Sequence, residues 1–457
     1  MTVYGNVLQM IGNTPMVEVT KLDTGPCRLF LKLESQNPGG SIKDRIALSM
    51  IEAAEKDGRL KPGGTIVEAT AGNTGLGLAL VAAQKGYKLI LIIPDKMSLD
   101  KIYHLKALGT QIVMTRSDVG KGHPEYYQDM AERMTAEIPG AFWVNQFANP
   151  ANPQAHIQTT GPEIWEQMDH DVDAVVAGVG SGGTISGLGR YFRTVQPNLR
   201  MVVADPVGSI VGHAVQTGEI STDVGSWLVE GIGEDFIPPN CDLSVIDDAV
   251  YASDKEAFAA ARELLAKEGI LGGTSTGTLL AGALKWCRAQ TEPKRVVTFV
   301  CDTGNKYLAK AYNDAWMIDN GLLDREQHHD LRDLITRRAD KGDVVSVRPE
   351  ETLNVAYGRM RMFDVSQLPI LNDKGEIEGL VDESDLLFAV QENPSLFKQP
   401  VKSIMTVKLE TVTPDTPLES LVPLFKNDKV ALVVGDGTFY GLITKIDYIN
   451  AMRRRAS

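Results

Sequence analysis

Lys43 closes the segment NPGGSIK (37–43) and is followed at once by Asp44 and Arg45. An amine at the end of a glycine turn has two readings. Left in water, it is a cation in the first turn of the helix suggested by residues 42–56, with Ser41 as the cap. Drawn into a pocket, it loses hydration, its pKa falls, and it becomes a nucleophile able to condense with a carbonyl. A second stretch, GVGSGGT (178–184), follows an apolar run, opens a helical pattern and satisfies G-x-G-x-x-G, with Asp205 at the end of the next apolar run. That is formally a dinucleotide fingerprint, which points to a nicotinamide oxidoreductase. The same glycines, however, expose successive backbone N–H groups at a helix N-terminus to any phosphate, and Thr184 adds a hydroxyl. By itself the loop leaves NAD and other phosphates equally open.

Three further loops gather small and polar residues. EATAGNTGLGLA (68–79) ends a strand-like run with donors from Thr70 to Thr74, NQFANPANPQAH (145–156) is polar between apolar segments, and GGTSTGT (272–278) is a small-residue junction. Together the loops offer a lysine amine, a phosphate cradle, an amide for a phenolic oxygen and an isolated hydroxyl. Pyridoxal phosphate uses all four.

The elements that position these loops alternate regularly. The apolar runs 88–95, 173–180, 200–206 and 295–302 read as buried strands, and 74–85, 98–108, 184–195 and 254–268 as helices. Such alternation predicts mostly parallel sheets covered on both faces, with ligands at the carboxyl ends of the strands. At 457 residues the chain exceeds one core. Its net charge of −13 argues against nucleic acid or an anionic membrane as partner. No apolar run approaches the ~20 residues of a membrane span, and a cytoplasmic location is expected. Cys27, Cys241, Cys287 and Cys301 are scattered without metal-ligand or disulfide-framework spacing, so no metal is expected. The segment 324–343 reads as a charged, helical linker with His328 and His329 on its solvated face.

The tail repeats itself. SVRPEETL (346–353) matches TVTPDTPL (411–418), and GLVDESDL (379–386) matches GLITKIDY (441–448). Each copy is one supersecondary unit of about sixty residues, with too little core to stand alone.

In order along the chain, IGNTPMV (11–17), NPGGSIKDR (37–45), ATAGNTG (69–75), GVGSGGTISG (178–187), EGIGEDFIP (230–238) and GGTSTG (272–277) resemble the fold-type II pyridoxal-phosphate enzymes, to which cysteine synthase and cystathionine β-synthase belong. The tail resembles a tandem CBS-domain (Bateman) module. The resemblance implies a catalytic domain over 1–320 built of two parallel-sheet subdomains, a linker over 321–343, and CBS domains over 344–398 and 399–457. ADPVGSI (204–210), Asp235, DKMSLDK (95–101) and 302–317 are more similar to cystathionine β-synthases than to cysteine synthases, as is the tail.

The resemblance also assigns roles. Lys43 anchors the cofactor and removes the Cα proton; Asn73 bonds the ring's phenolic oxygen; Gly180, Ser181, Gly182, Gly183 and Thr184 hold the phosphate; Ser275 faces the ring nitrogen. Thr70, Ala71, Gly72, Thr74, Gln146 and Gly231 form the substrate set. Ala71 replaces a serine common in the family, which leaves serine and O-acetylserine both open as substrate. The expected reaction is replacement at Cβ by homocysteine to give cystathionine, with hydrogen sulfide as a further product; the alternative is cysteine synthesis from sulfide. No haem is expected, because the sequence starts almost directly at IGNTP. A homodimer or higher homo-oligomer is expected. In the tail, Thr444, Asp447 and Asp385 mark a site for an adenosyl ligand. S-adenosylmethionine is favoured over an adenine nucleotide, since Asp382 would repel phosphate.

Overall fold

The computed structural model describes residues 3–70, 72–95, 99–116, 118–119, 122–324 and 326–456. The chain divides into two compact units, Met1–Leu323 and Asp324–Ser457. In the first unit the expected strands form at Lys88–Pro94, Ala174–Ala177, Arg200–Pro206 and Arg295–Phe299, and the expected helices at Asn73–Lys85, Leu99–Ala107, Gly183–Val195 and Asp254–Glu268.

Two sheets result. The larger has six strands in the order Met16–Glu18, Arg28–Lys32, Arg295–Phe299, Ala174–Ala177, Arg200–Pro206, Asp248–Ala252. All its pairings are parallel except the first. The smaller, Gln111–Thr115, Lys88–Pro94, Thr65–Ala69, Ala141–Trp143, is parallel throughout. Strands such as Ala174–Ala177 are buried at every position, as strands covered on both faces must be. Each sheet has its own apolar core, one around Val175, Val202 and Phe258, the other around Ile46, Leu78 and Leu91.

The helix Lys43–Lys56 buries Ile46, Ala47, Met50, Ile51 and Ala54, the spacing of one helical face. It packs on Asn73–Lys85, and Gly77 permits the close approach. A Cβ there would lie 3.0 Å from both Ala47 Cβ and the Lys43 carbonyl oxygen. That contact brings the starts of the two helices, Lys43 and Asn73, to one place. Ser41 does not occupy the cap position itself; its hydroxyl accepts from Lys43 N at 3.2 Å, one residue ahead of Ile42.

Behind Lys43 lies a buried ion network. Arg45 bonds Glu34 through Nε at 2.7 Å and Nη2 at 2.8 Å, and grips Glu163 at 2.7 Å; Lys32 Nζ reaches the same Glu163 at 2.8 Å. Removing one member of such a set strands a buried charge, at a cost of about 3–5 kcal/mol.

The second unit holds the two repeats. The first comprises the helix Leu353–Phe363, the antiparallel pair Gln367–Leu371 and Ile377–Asp382, and the helix Glu383–Glu392. The second comprises Val422–Lys426, the pair Ala431–Gly435 and Thr438–Ile443, and the helix Lys445–Ala456. Among its described residues the segment 324–343 holds no α-helix: it forms one 3-10 turn, Leu331–Leu334. Leu331 and Ile335 are drawn into the core of the second repeat beside Leu421 and Val433, and that packing overrides the local charge pattern. His328 is not on a solvated face either. Its ring is 14% exposed and its Nε2 lies 2.6 Å from Arg338 Nη1. Among the described residues no helix is long and apolar enough to cross a membrane.

Candidate active site

A cavity of about 420 Å³ opens at the carboxyl ends of the strands. Its lining unites Lys43, Thr70, Gly72, Asn73, Thr74, Gln146, Gly180, Ser181, Gly182, Thr184, Gly231 and Ser275, drawn from separate segments of the sequence. Gly183 lies just behind this surface, buried against Asn152, where a Cβ would sit 1.9 Å from the amide oxygen. Ala71 lies outside the described residues.

Burial lowers the Lys43 pKa, against the pull of Cys301, Glu234 and Asp302. The amine is therefore held nearer its neutral, nucleophilic form. Asn73 is fixed from both sides. Its Nδ2 donates to Asp302 Oδ2 at 2.8 Å, and Lys306 Nζ donates to its Oδ1 at 2.7 Å. Asp302 also accepts from Tyr307 Oη at 2.7 Å.

The glycine loop is a cradle that side chains would fill. A Cβ on Gly180 would lie 2.5 Å from Gly231 O, and one on Gly182, where φ is +80°, would lie 2.7 Å from Cys241. The helix Gly183–Val195 starts beside the cavity, and the N–H groups of its first turn have no partner within the helix, which suits an anion. Thr184 Oγ1 is 3.1 Å from His156 Nε2, and His156 Nδ1 is 2.9 Å from Thr160 Oγ1. Burial, with the charges of Arg45 and Lys43, drives the His156 pKa well below its usual value. A neutral ring therefore orients the Thr184 hydroxyl. Gln146 Oε1 accepts from Thr74 Oγ1 at 2.7 Å, and Asn152 Nδ2 ties the Gln146 carbonyl to Ser181 Oγ. Ser275, 5% exposed at the first turn of Thr274–Arg288, bonds Cys301, whose thiol burial pushes up to about 12.

Reading motifs one at a time missed several residues of this site. Lys306 and Tyr307 fall in a segment singled out only for resemblance, Asp302 also ends a run read only as a buried strand, and His156 ends a loop singled out only for polarity. Their spacing to Asn73 or Thr184 is too long to be seen in sequence. Lys101, 6% exposed, and Lys310 both pair with Glu230 at the cavity rim.

The desolvated amine, the side-chain-free anion cradle and the oriented Asn73 fit a phosphorylated aldehyde, and define the class: an enzyme built around pyridoxal phosphate. Comparison with known proteins agrees. Residues 7–302 match the family model "Pyridoxal-phosphate dependent enzyme", and 331–392 and 401–454 each match the CBS domain. The chain is 38% identical over 443 residues to cystathionine beta-synthase of Oryctolagus cuniculus, covering 95% of this chain and 80% of the relative. It is 34% identical to that of Dictyostelium discoideum, covering 99% and 93%, and 38% identical to that of Saccharomyces cerevisiae, covering 85% and 82%. Among solved structures, a hydrogen sulfide-producing enzyme from Fusobacterium nucleatum superposes with a TM-score of 0.62 at 37% identity, covering 67% of this chain and all of that one. O-ureido-L-serine synthase gives 0.63 at 34%, covering 72% and 98%. The chain belongs to the cystathionine beta-synthase family of pyridoxal-phosphate dependent enzymes. The nicotinamide reading of GVGSGG is thereby set aside.

In the tail, Asp447 closes a turn rather than facing open solvent. Its Oδ2 accepts from Thr444 N at 2.8 Å and from the Thr444 hydroxyl, and its Oδ1 accepts from Thr336 Oγ1 at 2.5 Å. Asp385 forms the equivalent reciprocal pair with Asp382.

Proposed function

We propose that the chain replaces the β-substituent of serine or O-acetylserine with homocysteine, giving cystathionine in transsulfuration, with hydrogen sulfide as a further product. The observation that carries this reading is a single cavity joining the desolvated Lys43 amine, the donor-rich loop at Thr70–Thr74 with Gln146, and a neutral hydroxyl, Ser275.

Pyridoxal phosphate, when bound, supplies the electron sink for the charge left at Cα. Lys43 would hold the cofactor, and its free amine would take the Cα proton as general base. Burial, by lowering its pKa, favours the unprotonated form. The backbone donors of Gly72 to Thr74 and the Gln146 amide hold the substrate carboxylate, which turns the Cα–H bond toward Lys43. Gly180 to Thr184 bind the phosphate, with His156 fixing the Thr184 hydroxyl. Asn73, aimed by Asp302 and Lys306, donates to the phenolic oxygen. Ser275, which lines the cavity, would face the ring nitrogen without a charge that forces protonation, and would favour elimination over other fates of the substrate.

The tail binds S-adenosylmethionine, or less favourably an adenine nucleotide, with Thr444 and Asp447 as the main contact and Asp385 as the weaker one. Ribose hydroxyls take the place of the Thr336 hydroxyl on Asp447. Four free cysteines suit the reducing cytoplasm. Exposed Tyr357, Met362, Leu387 and Phe388 on tail helices support a homodimer or larger assembly.

Steady-state rates with serine and with O-acetylserine, each against homocysteine and against sulfide, test the reading. Homocysteine is expected to exceed sulfide several-fold in kcat/KM. A strong preference for sulfide with O-acetylserine reverses the assignment to cysteine synthesis.

A further inference from the structure

Two carboxylates sit four residues apart on the loop EGIGED, and their surroundings pull them in opposite directions. Glu230 is paired with Lys101 and Lys310, and these cations hold its pKa below the usual value despite burial. Glu234 lines the same cavity as Lys43, yet among the described residues its carboxylate has neither an ion pair nor a hydrogen bond. Burial, then Asp235, raises its pKa to about 8, with Lys43 opposing and Asp205 reinforcing.

The loop is pinned, so this side chain is placed rather than adrift. Gly233 N donates to Val179 O at 2.8 Å, which ties the loop to the phosphate cradle. Glu234 N donates to Ser209 Oγ at 3.1 Å, and Ile210 N donates to Glu234 O at 3.1 Å. Gly233 has φ +88°, and a Cβ there would lie 2.8 Å from the Trp227 ring. A carboxyl group whose burial favours the protonated form, without a partner among the described residues, is thus held in the wall of a cavity where, on the reading above, serine must lose hydroxide.

We propose that Glu234 is the general acid that protonates the departing hydroxyl of serine and then accepts the proton of the incoming thiol. This rests on the β-replacement reading. Lys43 takes the Cα proton, and the electron pair of that bond becomes the second bond between Cα and Cβ. The Cβ–O bond breaks with its pair going to oxygen, which takes the Glu234 proton and leaves as water. The Glu234 carboxylate then takes the thiol proton as sulfur bonds Cβ, and Lys43 returns its proton to Cα. Both groups end as they began. The division of labour leaves Lys43 free to keep the proton it must give back.

The pairing of donors makes this testable, because acetate leaves without needing a proton. The groups that sense Glu234 are Lys43, Asp205 and Asp235, with Tyr126, Tyr127 and Cys241. As pH rises through about 8, Glu234 loses its proton, so the serine rate falls on that limb while the O-acetylserine rate does not.

The experiment compares the wild-type holoenzyme with Glu234→Gln, using homocysteine as thiol and both donors across the pH range. The expected loss in kcat/KM is about 100-fold or more with serine and less than about tenfold with O-acetylserine. The alkaline limb for serine should disappear in the variant. Difference infrared spectra of the substrate-free protein should show protonated carboxyl absorption lost at high pH, reduced by one component in Glu234→Gln while the Glu68 component remains. Equal losses with the two donors, or an unaltered serine rate, overturn the acid role while leaving β-replacement standing. A wild type that turns over neither donor with any thiol overturns both.

Discussion

Asn73 Nδ2 donates to Asp302 Oδ2 at 2.8 Å across 229 residues of sequence. The first residue of one helix is thereby aimed by the loop that follows a strand of the other sheet. With Lys306 on Asn73 Oδ1, both ends of the amide are assigned and its plane is fixed. Asp302→Ala frees the amide and also strips Tyr307 of its acceptor. Misplacement of this kind lowers kcat by about tenfold to a hundredfold. Cofactor titration by absorbance should show weaker retention as well; unaltered kcat and retention would remove Asp302 from the positioning role.

On the proposed reading Lys43→Ala removes anchor and base together, and among the described residues no neighbouring amine stands ready to replace it: Lys306 is committed to Asn73 and Lys101 to Glu230. Turnover should fall by at least about a thousandfold, and the visible absorption of covalently held cofactor should vanish. Circular dichroism should be unchanged. Retained colour and activity would refute the assignment.

Ser275→Asp introduces a charge where the structure has a hydroxyl bonded to Cys301. A carboxylate facing the ring nitrogen favours its protonated form and stabilises the carbanion too well. Turnover with homocysteine should drop more than cofactor affinity. Equal turnover in variant and parent would take Ser275 away from the pyridine.

Glu68 is the next-to-last residue of the strand Thr65–Ala69, which delivers Thr70 to the cavity, and burial raises its pKa to about 8 although backbone amides of Asn145, Gln146 and Ala69 donate to it. Its Oε2 is buried without a partner, as suits a protonated acid. Since the folded pKa exceeds the unfolded 4.5, the group's contribution to stability is complete below that value. It is lost progressively as pH rises through about 8. Glu68→Gln keeps an acceptor for the amides and cannot ionise. Its melting temperature should match wild type near pH 5 and exceed it by about 2–4 °C near pH 9. A variant less stable at both pH values would show that the carboxylate is ionised in the fold.

Asp447 is bound by two threonines, Thr444 close by in sequence and Thr336 far from it. Calorimetric titration with S-adenosylmethionine, AMP and ATP should give heat with the first above the others. Asp447→Ala should weaken binding by at least about tenfold, the loss of charge-assisted hydrogen bonds to ribose. No heat with any of the three, or equal affinity in both proteins, ends the proposal.

Much of this protein is written locally. The strand–helix alternation, the glycine cradle at 178–184, the lysine after its turn and the doubled tail are each set by residues within a few positions of one another, because sheet and helix periodicity and helix-terminus chemistry are short-range. So is the cap-like pairing of Thr444 with Asp447. What tertiary structure alone decides is partnership. Whether Lys43 is solvated or buried depends on Gly77 letting two helices touch. The aim of Asn73 depends on Asp302, the neutral state of His156 on its burial beside Arg45 and Lys43, and the contrast between Glu230 and Glu234 on which of them meets Lys101 and Lys310. The segment 324–343 shows the same rule: its charges suggest a solvated helix, but Leu331 and Ile335 are claimed by a core assembled from residues about a hundred positions later. Burial and charge pairing act through space, and the sequence carries them only after the chain has closed on itself.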